Sequence, residues 1–192
     1  MKRYNVGIIG ATGMVGQRFV LLLKEHPWFN VTVLAASPRS AGLLYKEALG
    51  ERWCMEEPVP EIFADMIVMN ATDDITKIAS LVDFVFCAVD MKKDEIKALE
   101  EAYAKTGTPV VSNNSAHRWT PDVPMVIPEI NPGNLKVIEY QRKRLGTSTG
   151  FIAVKPNCSI QSYVPALHAL MEFEPTNVIA CTYQAISGAG KS

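Results

Sequence analysis

The chain of 192 residues is 48% hydrophobic and 20% charged, an ordinary globular composition that excludes a disordered chain. Lysine and arginine number 19 against 20 acidic residues, so the formal net charge is only −1. We therefore do not expect nucleic acid or an anionic membrane surface as a partner, and we expect small molecules instead.

The first residues, MKRYNVGIIGATG, contain an apolar run that is too short for a membrane span and breaks into glycines too early for a signal peptide. We therefore expect a cytoplasmic protein. Four cysteines lie far apart, without the paired spacing of a zinc site or a disulfide framework, and no metal is expected. They are Cys54, Cys87, Cys158 and Cys181.

Apolar runs of strand length alternate with helical patterns in the first part of the chain. The runs YNVGIIG, VTVLAAS, DFVFCAV and TPVVSN predict strands, and QRFVLLLKEH and KKDEIKALEEAYAK predict helices. This alternation is typical of β-α-β units. We predict an α/β fold with a Rossmann-type doubly wound parallel sheet, whose ligands bind beyond the carboxyl ends of the strands. Residues 41–66 interrupt the rhythm and are expected to form an excursion with short elements of its own.

Beyond Pro109, the polar and proline-rich residues 112–135 predict a long ordered loop, a kind of segment that is often functional. The runs LKVIEYQRKRLG and CSIQSYVPALHALMEF predict helices, and FIAVKPN predicts a strand between them. A final strand is predicted over NVIACTYQ, residues 177–184.

The stretch GATGMVG places Gly10, Gly13 and Gly16 between an apolar strand and an amphipathic helix. A dinucleotide-binding turn has this context, because glycines permit the tight turn, the approach of the backbone to a pyrophosphate and close packing of helix on strand. The alternative is a tight β-α turn that binds no ligand.

The second strand ends in Ser37, Pro38, Arg39 and Ser40 instead of the acidic residue that binds the adenosine ribose of NAD. No carboxylate is present there to repel a 2′-phosphate, and an arginine can bind that phosphate through two charge-assisted hydrogen bonds. The turn therefore favours NADP over NAD. The alternative is a solvated arginine in a polar turn.

The chain ends in AISGAGKS, residues 185–192, which fits a loose form of the P-loop pattern for nucleoside triphosphates. The pattern begins with Ala185 instead of glycine, and no residues follow Ser192 to form the helix that a P-loop requires. We interpret the match as accidental.

The stretch KPNCSIQ places Cys158 where a strand becomes a helix, close to Lys155. The positive end of a helix and a nearby ammonium group both stabilise thiolate over thiol, so Cys158 is the candidate nucleophile. It could also be a mere helix-start residue, and Pro165 is expected to interrupt a helix that begins at Ser159. Cys87 and Cys181 are interpreted as small buried hydrophobic residues.

A nucleophilic cysteine needs a proton-transfer partner, and the chain contains three histidines. His168 lies ten residues along the predicted helix, about 15 Å from Cys158. His26 is most simply a residue near a helix C-terminus, and His117 could approach but could instead assist Arg118 in anion binding. We therefore expect the acid/base partner to lie outside these residues.

Five stretches, taken in chain order, form a recognisable set: GATGMVGQRF, AASPRSAG, SNNSAHRWTPDVPMVIPEINP, KPNCSIQ and TYQAISGAGKS. Together they closely resemble aspartate-semialdehyde dehydrogenases, in the branch typified by archaeal and fungal enzymes and also found in bacteria. The resemblance implies the reversible, NADP-dependent reductive dephosphorylation of L-aspartyl 4-phosphate to L-aspartate 4-semialdehyde, on the route to lysine, threonine and methionine.

The resemblance also implies roles for individual residues. Cys158 matches the nucleophile that forms the acyl-enzyme, with Asn157 directly before it. Arg118 resembles the arginine that binds phosphate, and Gln184 matches the glutamine that positions the substrate. The implied cofactor contacts are Gly10, Thr12, Gly13, Met14, Val15, Ser37, Arg39, Ser40, Ser187 and Gly188.

By the same resemblance, residues 1–152 form an NADP-binding Rossmann domain and residues 153–192 begin an incomplete α+β catalytic and dimerisation domain. Family members continue with further substrate-binding residues and an acid/base histidine, so we expect little turnover from this chain alone and a homodimer or homotetramer at full length. Two alternatives remain open, an acyl-CoA reductase paralogue and a non-catalytic NADP-binding fragment.

Overall fold

The computed structural model describes residues 2–183, which form an α/β fold built on one six-stranded sheet. Every strand pair in the sheet is parallel. The strands are β1 (Tyr4–Ile9), β2 (Phe29–Ala36), β3 (Met69–Asn70), β4 (Phe84–Cys87), β5 (Val110–Ser112) and β6 (Ile152–Val154).

Helices connect these strands, as the alternating sequence pattern predicts. No helix in the described range is long and apolar enough to cross a bilayer. The α-helices are α1 (Met14–Leu23), α2 (Tyr45–Leu49), α3 (Glu61–Ala64), α4 (Ile75–Ala79), α5 (Lys93–Lys105), α6 (Ile138–Leu145) and α7 (Cys158–His168). Short 3₁₀ turns cover Gly50–Arg52, Pro132–Val137 and Met171–Phe173.

The strand order is β3-β2-β1-β4-β5-β6, so the direction of winding reverses between β1 and β4. This is the doubly wound arrangement, in which ligands bind at the carboxyl ends of the strands next to the reversal. The predicted fold class is confirmed. The predicted division at residue 152 stays a prediction, and β6 spans it.

The core occupies both faces of the sheet. Successive residues of β1 lie on opposite faces of the sheet and belong to different hydrophobic clusters. Ile8 packs with the side chains of α1 and α2, and Ile9 packs with those of α5. Both are fully buried, and complete burial of each side chain contributes about 1.5–3 kcal/mol. Burial on both faces explains why the strands are continuous apolar runs.

The long loop after β5 is ordered, as predicted, by contacts with α6. The Gln141 amide donates to the carbonyl oxygens of Asp122 and Ile152, at 2.8 and 3.0 Å. Arg144 forms a bidentate ion pair with the Asp122 carboxylate, at 2.6 and 3.1 Å. The excursion over residues 41–66 is also confirmed, since it contains α2, α3 and one 3₁₀ turn.

Two expectations about secondary structure are wrong, and two elements were missed. Residues 177–183 form no strand, because no described strand pairs with them and a strand requires a hydrogen-bonded neighbour. The helix α7 continues through Pro165, and the turn after it closes with a bond from Ala169 N to the Pro165 carbonyl at 3.4 Å. The short strand β3 and the helix α4 were not predicted from the sequence.

Candidate functional site

The carboxyl ends of the parallel strands meet at one edge of the sheet, and the predicted site residues follow these ends. The glycine turn follows β1, the Ser37–Ser40 turn follows β2, the Arg118 loop follows β5 and Cys158 follows β6. Between β1 and β6 lie three strand spacings, about 14 Å. The fold therefore brings the predicted cofactor turn and the predicted nucleophile to the same edge.

The glycine turn is packed tightly on its inner side. Gly10 has φ +94°, and an added Cβ would lie 2.5 Å from the carbonyl oxygen of Ala88, in the loop after β4. An added Cβ on Gly16 would overlap the backbone of Gly10 and Ala11. The backbone N–H groups of Gly10 and Ala11 donate to the Ala35 carbonyl, at 2.8 and 3.0 Å. Glycine is required at both positions by local geometry.

The outer side of the same turn is open. Gly13 is exposed, has φ −78°, and its added Cβ would find only the Gly10 carbonyl oxygen, at 3.5 Å. Gly13 is also the N-cap of α1. Because glycine has no side chain, no side-chain cap accepts a hydrogen bond from the first backbone N–H groups of this helix. Val15 is exposed, and Thr12 and Met14 are half-buried. An uncapped helix N-terminus beside an open glycine fits the phosphates of a dinucleotide.

Two buried side chains behind this turn were not found from the sequence. Gln17 is 1% exposed and donates to the Thr12 carbonyl at 3.0 Å. Tyr45 is fully buried and donates through its hydroxyl to the Ala11 carbonyl at 2.8 Å; burial raises the pKa of this hydroxyl. A signal did exist for Gln17, a polar residue on the apolar face of α1.

The turn after β2 closes through a hydrogen bond from Ser40 N to the Ser37 carbonyl at 2.9 Å. Ser37 and Arg39 are exposed, whereas Ser40 is 3% exposed. Ser37 and Arg39 therefore face the solvent at the sheet edge as a phosphate-binding pair would, and Ser40 lies in the interior of the turn.

Arg118 and Lys155 connect the loops that follow β5 and β6. The Arg118 Nε donates to the Lys155 carbonyl at 3.1 Å, and Lys155 N donates to the Ser112 carbonyl at 3.1 Å. Burial lowers the pKa of Lys155, and the positive charge of Arg118 lowers it further, whereas Cys158 acts in the opposite direction. The bond between Arg118 and Lys155 places Arg118 beside the segment that leads from β6 to Cys158.

Cys158 is exposed and is the first residue of α7. The Asn157 Oδ1 accepts a hydrogen bond from Ser159 N at 2.8 Å and caps this helix, and the Cys158 thiol donates weakly to the same oxygen at 3.8 Å. Asn157 therefore orients both the helix terminus and the thiol. A cleft of about 710 Å³, between α7 and residues 178–183, has Cys158 in its wall.

The other cysteines lie in different environments. Cys87 is buried as predicted, and burial raises the pKa of its thiol. Cys54 is half-buried and donates to the Gln17 side chain at 3.1 Å. The expectation that Cys181 is buried in a strand is wrong: it is exposed, because the segment that contains it does not pair with the sheet.

The histidines do not supply an evident proton-transfer group. His117 is 1% exposed, and its ring nitrogens contact the Thr120 hydroxyl at 3.0 Å and the Lys97 carbonyl at 3.4 Å. His26 stacks on Phe29 with ring centroids 4.5 Å apart. His168 is the last residue of α7, ten residues beyond Cys158. The predicted sites Gln184, Ser187 and Gly188 lie outside the described residues.

Comparison with known proteins gives consistent matches. Residues 5–138 match the family model for the semialdehyde dehydrogenase, NAD binding domain. The chain is 44% identical to aspartate-semialdehyde dehydrogenase of Archaeoglobus fulgidus over 188 residues, covering 98% of this chain and 52% of that protein. It is 43% identical to the enzyme of the same name from Methanothermobacter thermautotrophicus, covering 97% of this chain and 51% of that protein.

Among solved structures, the fold is similar to aspartate semialdehyde dehydrogenase with NADP from Candida albicans. The TM-score is 0.77 at 37% identity, and the match covers 90% of this chain and 48% of that one. The chain thus spans about half the length of the relatives that it matches.

Proposed function

Because the chain belongs to the semialdehyde dehydrogenase family through its NAD-binding domain, we propose that it is the cofactor-binding and nucleophile-bearing part of an NADP-dependent aspartate-semialdehyde dehydrogenase. The reaction is the reversible reductive dephosphorylation of L-aspartyl 4-phosphate to L-aspartate 4-semialdehyde. The observation that carries this proposal is the position of the glycine turn and of Cys158 at one edge of the sheet, three strands apart.

The cofactor would lie across this edge. In the proposal, Gly10 shapes the turn, the Thr12–Val15 segment holds the pyrophosphate, and Ser37 and Arg39 bind the 2′-phosphate, which NADP carries and NAD lacks. The exposure of Gly13, Ser37 and Arg39 supports this assignment. Ser40 contributes through its backbone position in the turn. When bound, NADP would exchange a hydride with the carbonyl carbon of the substrate.

Cys158 is the proposed nucleophile. Its thiolate attacks the acyl phosphate carbon, and phosphate leaves as the thioester forms; in the oxidative direction it attacks the aldehyde. The helix N-terminus and the nearby Lys155 and Arg118 provide positive potential for the thiolate. Asn157 orients the thiol through its side-chain oxygen.

Arg118 is the proposed phosphate-binding residue. Its Nε is held by the Lys155 carbonyl, which leaves the terminal nitrogens of the guanidinium to bind two phosphate oxygens. That bond also connects the long loop after β5, which carries Arg118, to the segment that carries Cys158. Gln184, Ser187 and Gly188 belong to the same proposal, as substrate-binding and cofactor-binding residues.

The compartment and the assembly are part of the proposal. A cytoplasmic homodimer or homotetramer of the full-length protein, acting on small soluble metabolites, is supported by the family resemblance.

The test is phosphate-dependent reduction of NADP by aspartate semialdehyde, catalysed by the full-length protein. Cys158→Ser should lower kcat by about 10³-fold or more, because the hydroxyl is a far weaker nucleophile. Cys87→Ser is the matched control, since it makes the same change at a buried thiol. Normal activity in Cys158→Ser would refute the assignment, and a preference for acyl-CoA as substrate would identify an acyl-CoA reductase instead.

A further inference from the structure

The turn between β1 and α1 is held from behind by side chains that lie outside the glycine motif. The Tyr45 hydroxyl donates to the Ala11 carbonyl at 2.8 Å, and the Gln17 amide donates to the next carbonyl, that of Thr12, at 3.0 Å. Both side chains are fully buried or nearly so. Two successive peptide carbonyls of the turn are therefore fixed from the interior.

Gln17 also connects the turn to the excursion over residues 41–66. Its Nε2 donates to the Arg52 carbonyl at 2.9 Å, and its Oε1 accepts from the backbone N–H and the thiol of Cys54, at 2.9 and 3.1 Å. A primary amide has two N–H donors and two acceptor lone pairs. With the bond to Thr12, all four are used, so the orientation of this amide is fully determined.

The hydrogen bond from Tyr45 determines where a backbone N–H group of the turn points, because a peptide bond is planar. The Ala11 carbonyl and the Thr12 N–H belong to one planar trans peptide and point in opposite directions. Because the Ala11 carbonyl is held toward the buried Tyr45 hydroxyl, the Thr12 N–H is directed away from it. A backbone N–H in this place, directly before a helix N-terminus, is the kind of group that binds a phosphate.

We propose that Tyr45 and Gln17 are positioning residues for the cofactor: Tyr45 sets the Ala11–Thr12 peptide in the orientation that binds the pyrophosphate, and Gln17 fixes the next peptide, Thr12–Gly13. Neither side chain touches the cofactor itself. The excursion then holds the glycine turn in place, because it contributes Tyr45 and two of the three backbone partners of Gln17, at Arg52 and Cys54. This inference rests on the proposed NADP binding.

The chain offers a matched control for Tyr45. The Tyr103 hydroxyl is also buried, also donates to a backbone carbonyl at 2.8 Å, and its pKa is also raised by burial. Its acceptor is Ala71, after β3, and not the glycine turn. Tyr45→Phe and Tyr103→Phe therefore remove the same bond in similar environments, and only the former concerns the turn.

The experiment measures the Kd of NADPH by fluorescence titration and the Tm without cofactor, on the full-length protein. A hydrogen bond of ordinary strength corresponds to about a fivefold change in an equilibrium constant. We expect Tyr45→Phe to raise the Kd about fivefold and Tyr103→Phe to leave it within twofold, while both lower the Tm by similar amounts. A Gln17→Met variant, similar in shape but without the four bonds, should raise the KM for NADP with little change in kcat.

An unchanged Kd in Tyr45→Phe, or an equal rise in both tyrosine variants, would overturn the inference and leave the proposed function intact. If the wild-type protein bound no NADPH, the proposed function would fail and the inference would fail with it. If Gln17→Met does not fold, the two tyrosine variants still decide the question.

Discussion

Substitution of Gly10 by alanine should destabilise the protein more than a positive φ alone can explain. Gly10 has φ +94°, and its added Cβ would lie 2.5, 2.7 and 2.9 Å from Ala88 O, Ala88 C and Val89 N. All three are backbone atoms of the loop after β4, so no side chain can move aside to make room. Gly42 has a comparable φ of +83°, but an added Cβ there would meet nothing within 4 Å.

The expected loss in the free energy of unfolding has two parts. An alanine in the left-handed region costs about 1–2 kcal/mol, and this part is common to both positions. Forcing a methyl group into a packed site costs about 1–3 kcal/mol more, and this part applies to Gly10 only. In a domain of roughly 150–250 residues, 1 kcal/mol shifts the Tm by about 2–4 °C. The Tm of Gly10→Ala should therefore lie about 2–12 °C below that of Gly42→Ala.

Thermal unfolding of the full-length protein without cofactor, followed by circular dichroism, measures this difference. Cofactor must be absent because it would stabilise the variants to different degrees. Equal decreases in Tm for Gly10→Ala and Gly42→Ala would refute the reasoning, since they would mean that the loop after β4 accommodates the methyl group at no cost.

Three further predictions concern the rest of the site. Gly13→Ala should lower the Tm only slightly, because φ is −78° and the nearest atom to its Cβ is 3.5 Å away, so the cost is the lower preference for alanine at an N-cap. It should weaken NADPH binding about tenfold, because the methyl group would obstruct the approach of the phosphates; unaltered affinity would contradict the proposed cofactor site. Asn157→Ala should lower the free energy of unfolding by about 1 kcal/mol, because the helix cap is lost, whereas Asn157→Asp retains the acceptor; urea titrations that give equal losses would show that the cap is not the cause. Burial, and to a lesser degree the charge of Arg118, lower the pKa of Lys155 in the folded state. Between that lowered pKa and the ordinary value of 10.5, the unfolded chain binds more protons than the folded one, so the contribution of Lys155 to the free energy of unfolding rises with pH over this window. In urea titrations at increasing pH, the wild type should gain stability relative to Lys155→Met over that window, and a difference independent of pH would contradict the assignment.

The sequence by itself was sufficient to predict the α/β class and the main strands and helices. The reason is that strands buried on both faces must be continuous apolar runs, and amphipathic helices must show helical periodicity. The glycine turn was equally clear, because the positive φ of Gly10 and the close backbone packing at Gly10 and Gly16 permit no other residue. Cys158 at the start of α7 was also evident from the chain.

Other features depended on contacts between distant parts of the chain. The two-residue strand β3 exists because it pairs with the end of β2, and two residues carry no periodicity. Residues 177–183 have the composition of a strand but no described strand beside them, so their β propensity has no effect. A strand is defined by its neighbour, and local sequence does not specify whether that neighbour is present.

The arrangement of the site was decided by the tertiary structure alone. Strand order brings the glycine turn and Cys158 to one edge of the sheet, although about 150 residues separate them in the chain. Burial of Ser40 and His117, and the contacts of Gln17 and Tyr45 behind the turn, follow from the packing of the excursion and the long loop. The sequence determined which residues had suitable chemistry, and the packing of distant segments determined which of them could use it.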